Sequence, residues 1–238
     1  MASPRATGPE QPPPLSDADA IARHKRAAAR AAAEEVRDGM RVGLGTGTTV
    51  AYLLDALGER RAAGELADVR CAATSPATER AARAFGLTIV GLDELGELDV
   101  AIDGADQVDA DGWLVKGGGG AHTREKIVAT AARRFVVIVS DDKLVQRLHP
   151  PVPLELVPFA VQTTLARLGP AQLRDVPRSP DGGVIADYVG PVADPRELAD
   201  WLSQTPGVVD HGLFEPELVS SIVIAGERGV ERRPGAKR

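Results

Sequence analysis

Short apolar runs alternate with longer amphipathic segments through the first 140 residues of the chain. The runs predict buried strands at Met40–Leu44, Val69–Ala73, Thr88–Val90, Val100–Ile102 and Phe135–Val139. Between them lie segments with helical periodicity, and an alanine-rich helix precedes them, beginning after Ser16 and ending at Asp38-Gly39. Strands that alternate with helices in this way indicate an α/β fold, a doubly wound, mostly parallel Rossmann-like sheet with helices on both faces.

The rhythm changes after the stretch HPPVPLELVP, residues 149–158, which contains four prolines. Beyond it we predict strands at 154–159, 171–176, 184–189 and 207–214, with helices at 161–169 and 194–205. The order βαββαβ, with a Pro- and Gly-rich hairpin at 177–183, is typical of a ferredoxin-like α+β domain. Helical spacing places Leu198, Trp201 and Leu202 on one face, directed at that sheet.

These patterns predict three parts of the chain. Residues 1–14 read as a flexible tail, because Pro and Gly there have no periodic apolar partners. Residues 15–149 and 216–234 form the α/β domain, to which a strand at Ser221–Ala225 returns, and residues 150–215 form the smaller ferredoxin-like domain. The basic end ERRPGAKR is short, and we expect it to be frayed.

Composition narrows the class of protein without choosing a function. The 28 basic and 34 acidic residues give a net charge of −6, which argues against nucleic-acid binding. The single cysteine, Cys71, lies in a predicted strand and is interpreted as a buried structural thiol. No apolar run is long enough for a membrane span, and the N-terminus has no apolar core of a secretory signal. We therefore expect a cytoplasmic enzyme or binding protein, with no nucleic-acid or membrane partner.

The first candidate for chemistry is the loop GLGTGTT, residues 43–49, between a strand and a helix. Glycines allow close approach to a ligand, and the following helix N-terminus directs N–H groups at an anion. Thr48 stands where a dinucleotide fingerprint needs glycine, and no Lys-Ser/Thr pair completes a Walker A loop. A phosphate monoester or another small anion fits best; the alternative is a plain strand–helix turn.

The second candidate is Asp103-Gly104-Ala105-Asp106, directly after a predicted strand. Ligands of open α/β sheets bind beyond the carboxyl ends of strands, and two nearby carboxylates can divide acid and base roles. An acidic surface loop is the alternative. A calcium loop is disfavoured because Val108 occupies its glycine position. Asp109 and Asp111 are interpreted as solvated turn residues.

The third candidate is KGGGGAHTREK, residues 116–126, which leads from a short strand into a helix. Four glycines indicate a backbone that approaches something closely. Lys116 lies at a strand end, and Glu125 lies in the first turns of the helix, where a buried carboxylate could act as a general base or merely complement the helix dipole. His122 is interpreted as a surface or loop residue. Arg124 and Lys126 are interpreted as solvent-facing or structural.

Taken together, GLGTGTT, TSPATE, DGAD, KGGGGAHTREK and SDDKLV resemble ribose-5-phosphate isomerase of the A type. The resemblance covers roughly residues 20–232 and extends to PVPLELVPFAVQTTLARLG and PGVVDHGLF. It implies a doubly wound α/β catalytic domain with a ferredoxin-like domain as oligomer interface, a homodimer or homotetramer, and no metal or organic cofactor.

The resemblance also assigns roles, position by position. Glu125 matches the catalytic base, Asp103 and Asp106 the catalytic acids, and Lys116 the catalytic lysine. The residues expected to bind the sugar phosphate are Thr46, Gly47, Thr48, Thr49, Gly104, Ala105, Gly117, Gly118, Gly119, Lys143 and Lys25. Two side chains depart from the family pattern: His122 replaces a residue that is usually apolar, and Asp142 stands where a small polar residue is common.

The implied activity is interconversion of D-ribose 5-phosphate and D-ribulose 5-phosphate through an enediolate, in the non-oxidative branch of the pentose phosphate pathway. Two alternatives remain open at the level of sequence. A non-catalytic sugar-phosphate sensor would keep the phosphate loop without needing Asp103, Lys116 and Glu125 together. A CoA transferase on a related fold would form a covalent glutamyl thioester and show ping-pong kinetics.

Overall fold

The computed structural model of the chain describes residues 16–237, so the predicted tail at 1–14 lies outside the described part. Seven α-helices are assigned there: α1 Asp17–Ala33, α2 Thr48–Ala62, α3 Pro76–Ala84, α4 Leu92–Leu95, α5 His122–Ala131, α6 Val161–Leu168 and α7 Pro195–Gln204. The first seven strands are β1 Arg41–Leu44, β2 Arg70–Ala73, β3 Thr88–Ile89, β4 Leu98–Asp103, β5 Gln107–Val108, β6 Leu114–Val115 and β7 Ala132–Ser140. The other seven are β8 Val152–Leu156, β9 Ala171–Leu173, β10 Val184–Tyr188, β11 Val208–His211, β12 Leu213–Phe214, β13 Ser221–Gly226 and β14 Gly229–Pro234.

The larger sheet has seven strands in the order β14-β13-β7-β4-β1-β2-β3, and all neighbours are parallel except β13 and β14. Separate apolar clusters cover its two faces. On one face α1 packs through alanines, and Ala28, Ala29 and Ala32 are fully buried. The predicted α/β class is confirmed. Because β1 lies between β2 and β4, the strand order reverses there, which is where such sheets bind ligands.

The smaller sheet is antiparallel, with the order β11-β8-β10-β9, and α6 and α7 complete the predicted βαββαβ order. Its core includes Leu154, Leu156 and Leu202, all fully buried. Trp201 departs from the predicted buried face. It is 41% exposed, and its ring packs edge-on against Tyr188, which is buried, so one part of the indole faces the sheet and the rest faces solvent.

A three-stranded sheet, β12-β6-β5, was not predicted, and it explains why 207–214 is not one strand. At Gly212 the chain crosses so close to β6 that an added Cβ would lie 2.2 Å from the carbonyl oxygen of Lys116. Lys116 N donates to Gly212 O at 2.8 Å. The chain therefore leaves the smaller sheet at His211 and pairs with β6 from Leu213 onward.

Other boundaries also differ from prediction. The alanine-rich helix ends at Ala33 and not at Asp38-Gly39, and the strand predicted at 154–159 lies at Val152–Leu156. The C-terminal stretch from 231, predicted to be frayed, continues β14 to Pro234, because it pairs with β13 along the edge of the larger sheet. The predicted helix at 123–134 ends at Ala131, where β7 begins. The predicted strand 171–176 ends at Leu173. Within residues 16–237 there is no helix long and apolar enough to cross a membrane.

Candidate active site

The loop from β1 to α2 passes directly over the end of β4. An added Cβ on Gly45 would lie 1.9 Å from Asp103 Cγ, so the chain can follow this path only with glycine. Gly47 caps α2 with φ 116°, and no side chain accepts a hydrogen bond from the first turn at that cap. The N–H groups of this turn therefore remain available to an anion.

Positive and hydroxyl groups surround the start of α2. Lys25 on α1 donates from Nζ to Thr48 Oγ1 at 3.0 Å. Lys143, just beyond β7, lies on the same cavity and its Nζ is 3.1 Å from a carboxylate oxygen of Asp142. Two lysines and a helix N-terminus thus converge on one region, which favours a ligand carrying more than one negative charge.

Asp103, Lys116 and Glu125 form a buried chain of ionisable groups, each no more than 4% exposed. Lys116 Nζ contacts Asp103 Oδ2 at 2.9 Å and Glu125 Oε2 at 3.0 Å, and it donates to the carbonyl oxygen of Gly104 at 2.6 Å. Asp103 Oδ1 accepts from the amide nitrogens of Thr46 at 3.1 Å and Gly104 at 2.7 Å. Three elements meet here, since Asp103 ends β4, Lys116 directly follows β6 and Glu125 lies on α5.

Burial shifts the acid–base properties of this chain. The pKa of Glu125 is raised to about 7: desolvation is the largest cause, the charge of Asp103 adds to it, and Lys116 opposes both. Desolvation also raises the pKa of Asp103, against the lowering effect of Lys116. Burial alone would lower the pKa of Lys116, but the two carboxylates outweigh it and raise that pKa. The site therefore holds a permanent cation beside a carboxyl group that titrates near neutral pH.

Asp106 holds the glycine loop on its open side. Its Oδ2 accepts from the amide nitrogen of Gly118 at 2.8 Å, and a Cβ on Gly118 would lie 2.9 Å from Asp106 Oδ1. Gly117 adopts φ 101°, and a Cβ there would lie 2.6 Å from His122 Nδ1. The loop is thus confined between a carboxylate and an imidazole and has no room for side chains at these two positions.

A cavity of about 180 Å³ brings the predicted residues together. Its lining consists of Lys25, Thr46, Gly47, Thr48, Thr49, Gly104, Ala105, Asp106, Lys116, Gly117, Gly118, Gly119, Glu125 and Lys143. Of the residues predicted for the site, Asp103 alone is not in the lining, and it contacts the cavity through Lys116. A larger cavity of about 610 Å³ between α3, α5 and the smaller domain is lined by none of them. We assign the site to the smaller cavity, where the cations and carboxylates converge.

Several supporting residues were not predicted from the sequence. His122 is fully buried at the start of α5, so the interpretation as a surface or loop residue is wrong. Burial lowers the pKa of His122 to about 3, so the imidazole is neutral. Lys126 Nζ lies 2.5 Å from Asp210 Oδ1 and forms an ion pair with it. Arg174, which follows β9, donates to the carbonyl oxygens of Gly117 and Gly118 in the glycine loop. No local motif marks these long-range partners.

Two further sequence interpretations concern metal sites and the cysteine. Within residues 16–237 no group of three or more His, Cys, Asp or Glu side chains is arranged to hold a metal ion. Cys71 is buried, and desolvation raises the pKa of its thiol to about 12. The buried structural thiol was predicted correctly.

Comparison with known proteins identifies relatives of this chain along most of its length. The family described as Ribose 5-phosphate isomerase A (phosphoriboisomerase A) matches residues 70–229. The chain is 42% identical over 227 residues to "Ribose-5-phosphate isomerase A" of Thermosynechococcus vestitus, covering 90% of this chain and 94% of that protein. It is 44% identical over 232 residues to the protein of that name from Halobacterium salinarum, covering 92% of this chain and 99% of the relative.

Solved structures give the same result. The ribose 5-phosphate isomerase A of Methanocaldococcus jannaschii superposes with a TM-score of 0.84 at 34% identity, covering 92% of this chain and 100% of that one. A D-ribose-5-phosphate isomerase in complex with phospho-erythronic acid superposes with a TM-score of 0.85 at 34% identity, covering 90% and 99%. The chain therefore belongs to the ribose 5-phosphate isomerase A family.

Proposed function

We propose that this protein is the aldose–ketose isomerase that interconverts D-ribose 5-phosphate and D-ribulose 5-phosphate, with the cavity at the start of α2 as its active site. The observation that carries the proposal is the buried chain Asp103–Lys116–Glu125 beside a helix N-terminus flanked by two lysines. A proton-transfer site and a phosphate site thus share one cavity.

Glu125 is the base. Isomerisation moves a proton from C2 of the aldose to C1 of the ketose through a cis-enediolate, so a single carboxylate must reach both carbons. A pKa of about 7 suits this task, because such a group is ionised in much of the population near neutral pH and still binds a proton well. In the first half of the reaction Glu125 takes the C2 proton, and in the second it returns that proton to C1.

Lys116 and Asp103 act on the substrate oxygens O1 and O2. Negative charge develops on the carbonyl oxygen as the enediolate forms, and the buried ammonium of Lys116 stabilises it together with N–H groups of the glycine loop. In this proposal the Asp103–Lys116 pair, which reaches the cavity through Lys116, passes the proton between O1 and O2 and assists opening of the furanose ring. Asp106 shapes the loop and contributes a second carboxylate on the open side of the cavity.

The phosphate end of the substrate binds at Thr46–Thr49, with Lys25 and Lys143. The phosphate lies away from the reacting carbons, and the energy of binding it positions C1 and C2 against Glu125. The related isomerase in complex with phospho-erythronic acid supports a phosphorylated sugar as the substrate, since that ligand joins a phosphate to a sugar acid.

The organisation of the whole protein follows the same proposal. Residues 15–149 and 216–234 form the catalytic domain, and 150–215 form the smaller domain, through which we expect a homodimer or homotetramer. Phe159, 84% exposed, and Val157, 41% exposed, support an interface there, because large apolar side chains rarely face water together without a partner. A cytoplasmic location is consistent with a fold that uses no disulfide.

The deciding experiment is a direct assay of ribose 5-phosphate conversion to ribulose 5-phosphate in the presence of a chelator. We expect single-substrate turnover that the chelator does not reduce. A CoA transferase would instead need a CoA ester and show ping-pong kinetics. A sensor would bind the sugar phosphate without converting it, and either result would overturn the proposal.

A further inference from the structure

The smaller domain reaches into the active site through one side chain, Arg174. This residue follows β9, and its guanidinium Nη1 donates to the carbonyl oxygens of Gly117 and Gly118, each at 3.0 Å. Those two carbonyls belong to the glycine loop that joins Lys116 to the helix carrying Glu125. The loop is therefore in contact with Asp106 on one side and with Arg174 on the other.

Arg174 is itself held rigidly. Its Nε donates to Asp187 Oδ2 at 3.0 Å, and its Nη2 donates to Asp187 Oδ1, so the two groups form a bidentate pair. Asp187 lies on β10, where it pairs with Gln172 of β9, and it is only 8% exposed. Because the guanidinium is planar and Asp187 holds its Nε and Nη2 edge, the direction of the Nη1 N–H groups is fixed. A lysine ammonium has no such planar geometry and would not be fixed in this way.

This contact determines the orientation of the loop peptides. In a trans peptide the C=O and the N–H point in opposite directions. The carbonyl of Gly117 faces Arg174, and the amide of Gly118 accordingly faces Asp106 across the cavity. The carbonyl of Gly118 also faces Arg174, so the amide of Gly119, a residue of the cavity lining, is directed away from the smaller domain. The Gly117 carbonyl also accepts from the amide nitrogen of Gly120 at 3.0 Å, and Asp106 holds the Gly118 amide. Loss of the guanidinium would therefore free chiefly the peptide between Gly118 and Gly119, where glycine places little restraint on rotation.

We propose that Arg174, fixed by Asp187, is a positioning residue for the isomerase reaction: it holds the peptide between Gly118 and Gly119 so that the Gly119 N–H is directed at the developing enediolate oxygen. The inference rests on the proposed function, because the oxygen to be stabilised belongs to that reaction. It assigns the smaller domain a part in catalysis besides assembly. Arg174 does not touch the substrate, so its removal should affect the transition state far more than binding of the phosphate.

The test compares Arg174→Met, Arg174→Lys and Asp187→Asn with Arg178→Met, a control on the same hairpin whose exposed side chain donates only to Gly182 O. We expect kcat to fall about 10- to 100-fold in Arg174→Met, as for misplacement of a catalytic group, with KM changed less than about threefold. Arg174→Lys and Asp187→Asn should show smaller losses of kcat, and Arg178→Met none.

A second measurement separates positioning from general damage. Inhibition by phospho-erythronic acid should weaken in Arg174→Met in parallel with kcat, whereas competitive inhibition by inorganic phosphate should stay unchanged. Normal kcat in Arg174→Met, or equal weakening of both inhibitors, would overturn the inference. If Arg174→Met does not fold, the same two inhibitors are applied to Arg174→Lys and Asp187→Asn, with the same criteria. Failure of the proposed function is distinguishable, because the unmodified protein would then show no isomerase activity.

Discussion

Glu125 is unusual among the ionisable residues of this protein because it is buried, charged neighbours surround it, and it titrates near neutral pH. Desolvation raises its pKa and Asp103 adds to the effect, while Lys116 at 3.0 Å keeps the group from becoming permanently neutral. An exposed glutamate would be a much weaker base at the same pH. The value of Glu125 as a base thus comes from its surroundings, which the motif TREK alone does not specify.

The first prediction concerns the pH dependence of catalysis. Because the pKa of Glu125 is raised from 4.5 to about 7, the carboxylate form is lost as pH falls through 7. We expect kcat/KM to decline about tenfold for each pH unit below that midpoint, as for any single essential base. The measurement is initial rate against pH between pH 5 and pH 9.

Substrate phosphate also titrates, with a second pKa of about 6, and it must be distinguished from the base. In Glu125→Asp the midpoint should move if it belongs to the base and stay if it belongs to the phosphate. An unmodified protein that keeps full kcat/KM down to pH 5 would contradict the raised pKa.

At the scale of residues, the sequence was informative where a functional group lies at or just beyond the end of a strand or in the first turn of a helix. Asp103, Lys116 and Glu125 occupy such positions, and the structure brings them into contact. Arg174 and Asp187 could not be predicted, because their effect on the loop depends on packing between distant segments. The burial of His122 depends on its ring filling the space beside Gly117, which chain order does not reveal.

At the scale of elements, α2 is the helix at whose N-terminus we propose that the substrate phosphate binds. Its N-cap, Gly47, has φ 116° and ψ −179°, a conformation that is essentially restricted to glycine. Nothing lies within 4 Å of an added Cβ, so a side chain there would strain the backbone without a steric clash. The strain would displace the first turn of α2.

We therefore predict that Gly47→Ala raises KM for ribose 5-phosphate about tenfold, with kcat changed less than about threefold, since strain of this kind costs about 1–3 kcal/mol. Gly64→Ala is the matched control. Gly64, just past the other end of α2, also has a positive φ, of 80°, and no atom near an added Cβ. Both variants should lose thermal stability, and only Gly47→Ala should lose substrate affinity. Equal KM values in the two variants would exclude α2 as the phosphate site.

Elements were predicted well where burial is continuous and poorly where the chain changes sheets. β7 was recognisable because its apolar run is buried on both faces, although it begins earlier than predicted. The segment 207–214 has strand character throughout, yet Gly212 divides it between two sheets. β14 is exposed along its length, so its edge pairing with β13 leaves no apolar signal in the sequence.

At the scale of the molecule, charge and assembly need separate explanations. The net charge of −6 opposes a phosphorylated sugar, so attraction depends on Lys25, Lys143, Lys116 and the first turn of α2 acting at short range. The two main sheets were visible in the sequence as the change from βα repeats to βαββαβ after residue 149. The three-stranded sheet was not, because its strands are two residues long.

The proposed assembly through the smaller domain leads to a prediction for Phe159. Replacing this 84% exposed aromatic by a charge, in Phe159→Asp, should shift the protein to a smaller species in sedimentation analysis, since a buried charge opposes association. Val230→Asp, at a 45% exposed position on β14 of the larger sheet, is the control and should leave the mass unchanged. A mass unaffected by Phe159→Asp would remove this segment from the interface.

The central claim is that Glu125 moves the proton between C1 and C2, and the most direct test is the turnover of Glu125→Gln. Glutamine keeps the size of the side chain and can still face Lys116, but it cannot accept the proton. We predict that kcat for ribose 5-phosphate falls at least about 100-fold while KM changes less than about threefold, as expected for loss of a general base. A kcat close to that of the unmodified protein would contradict the account.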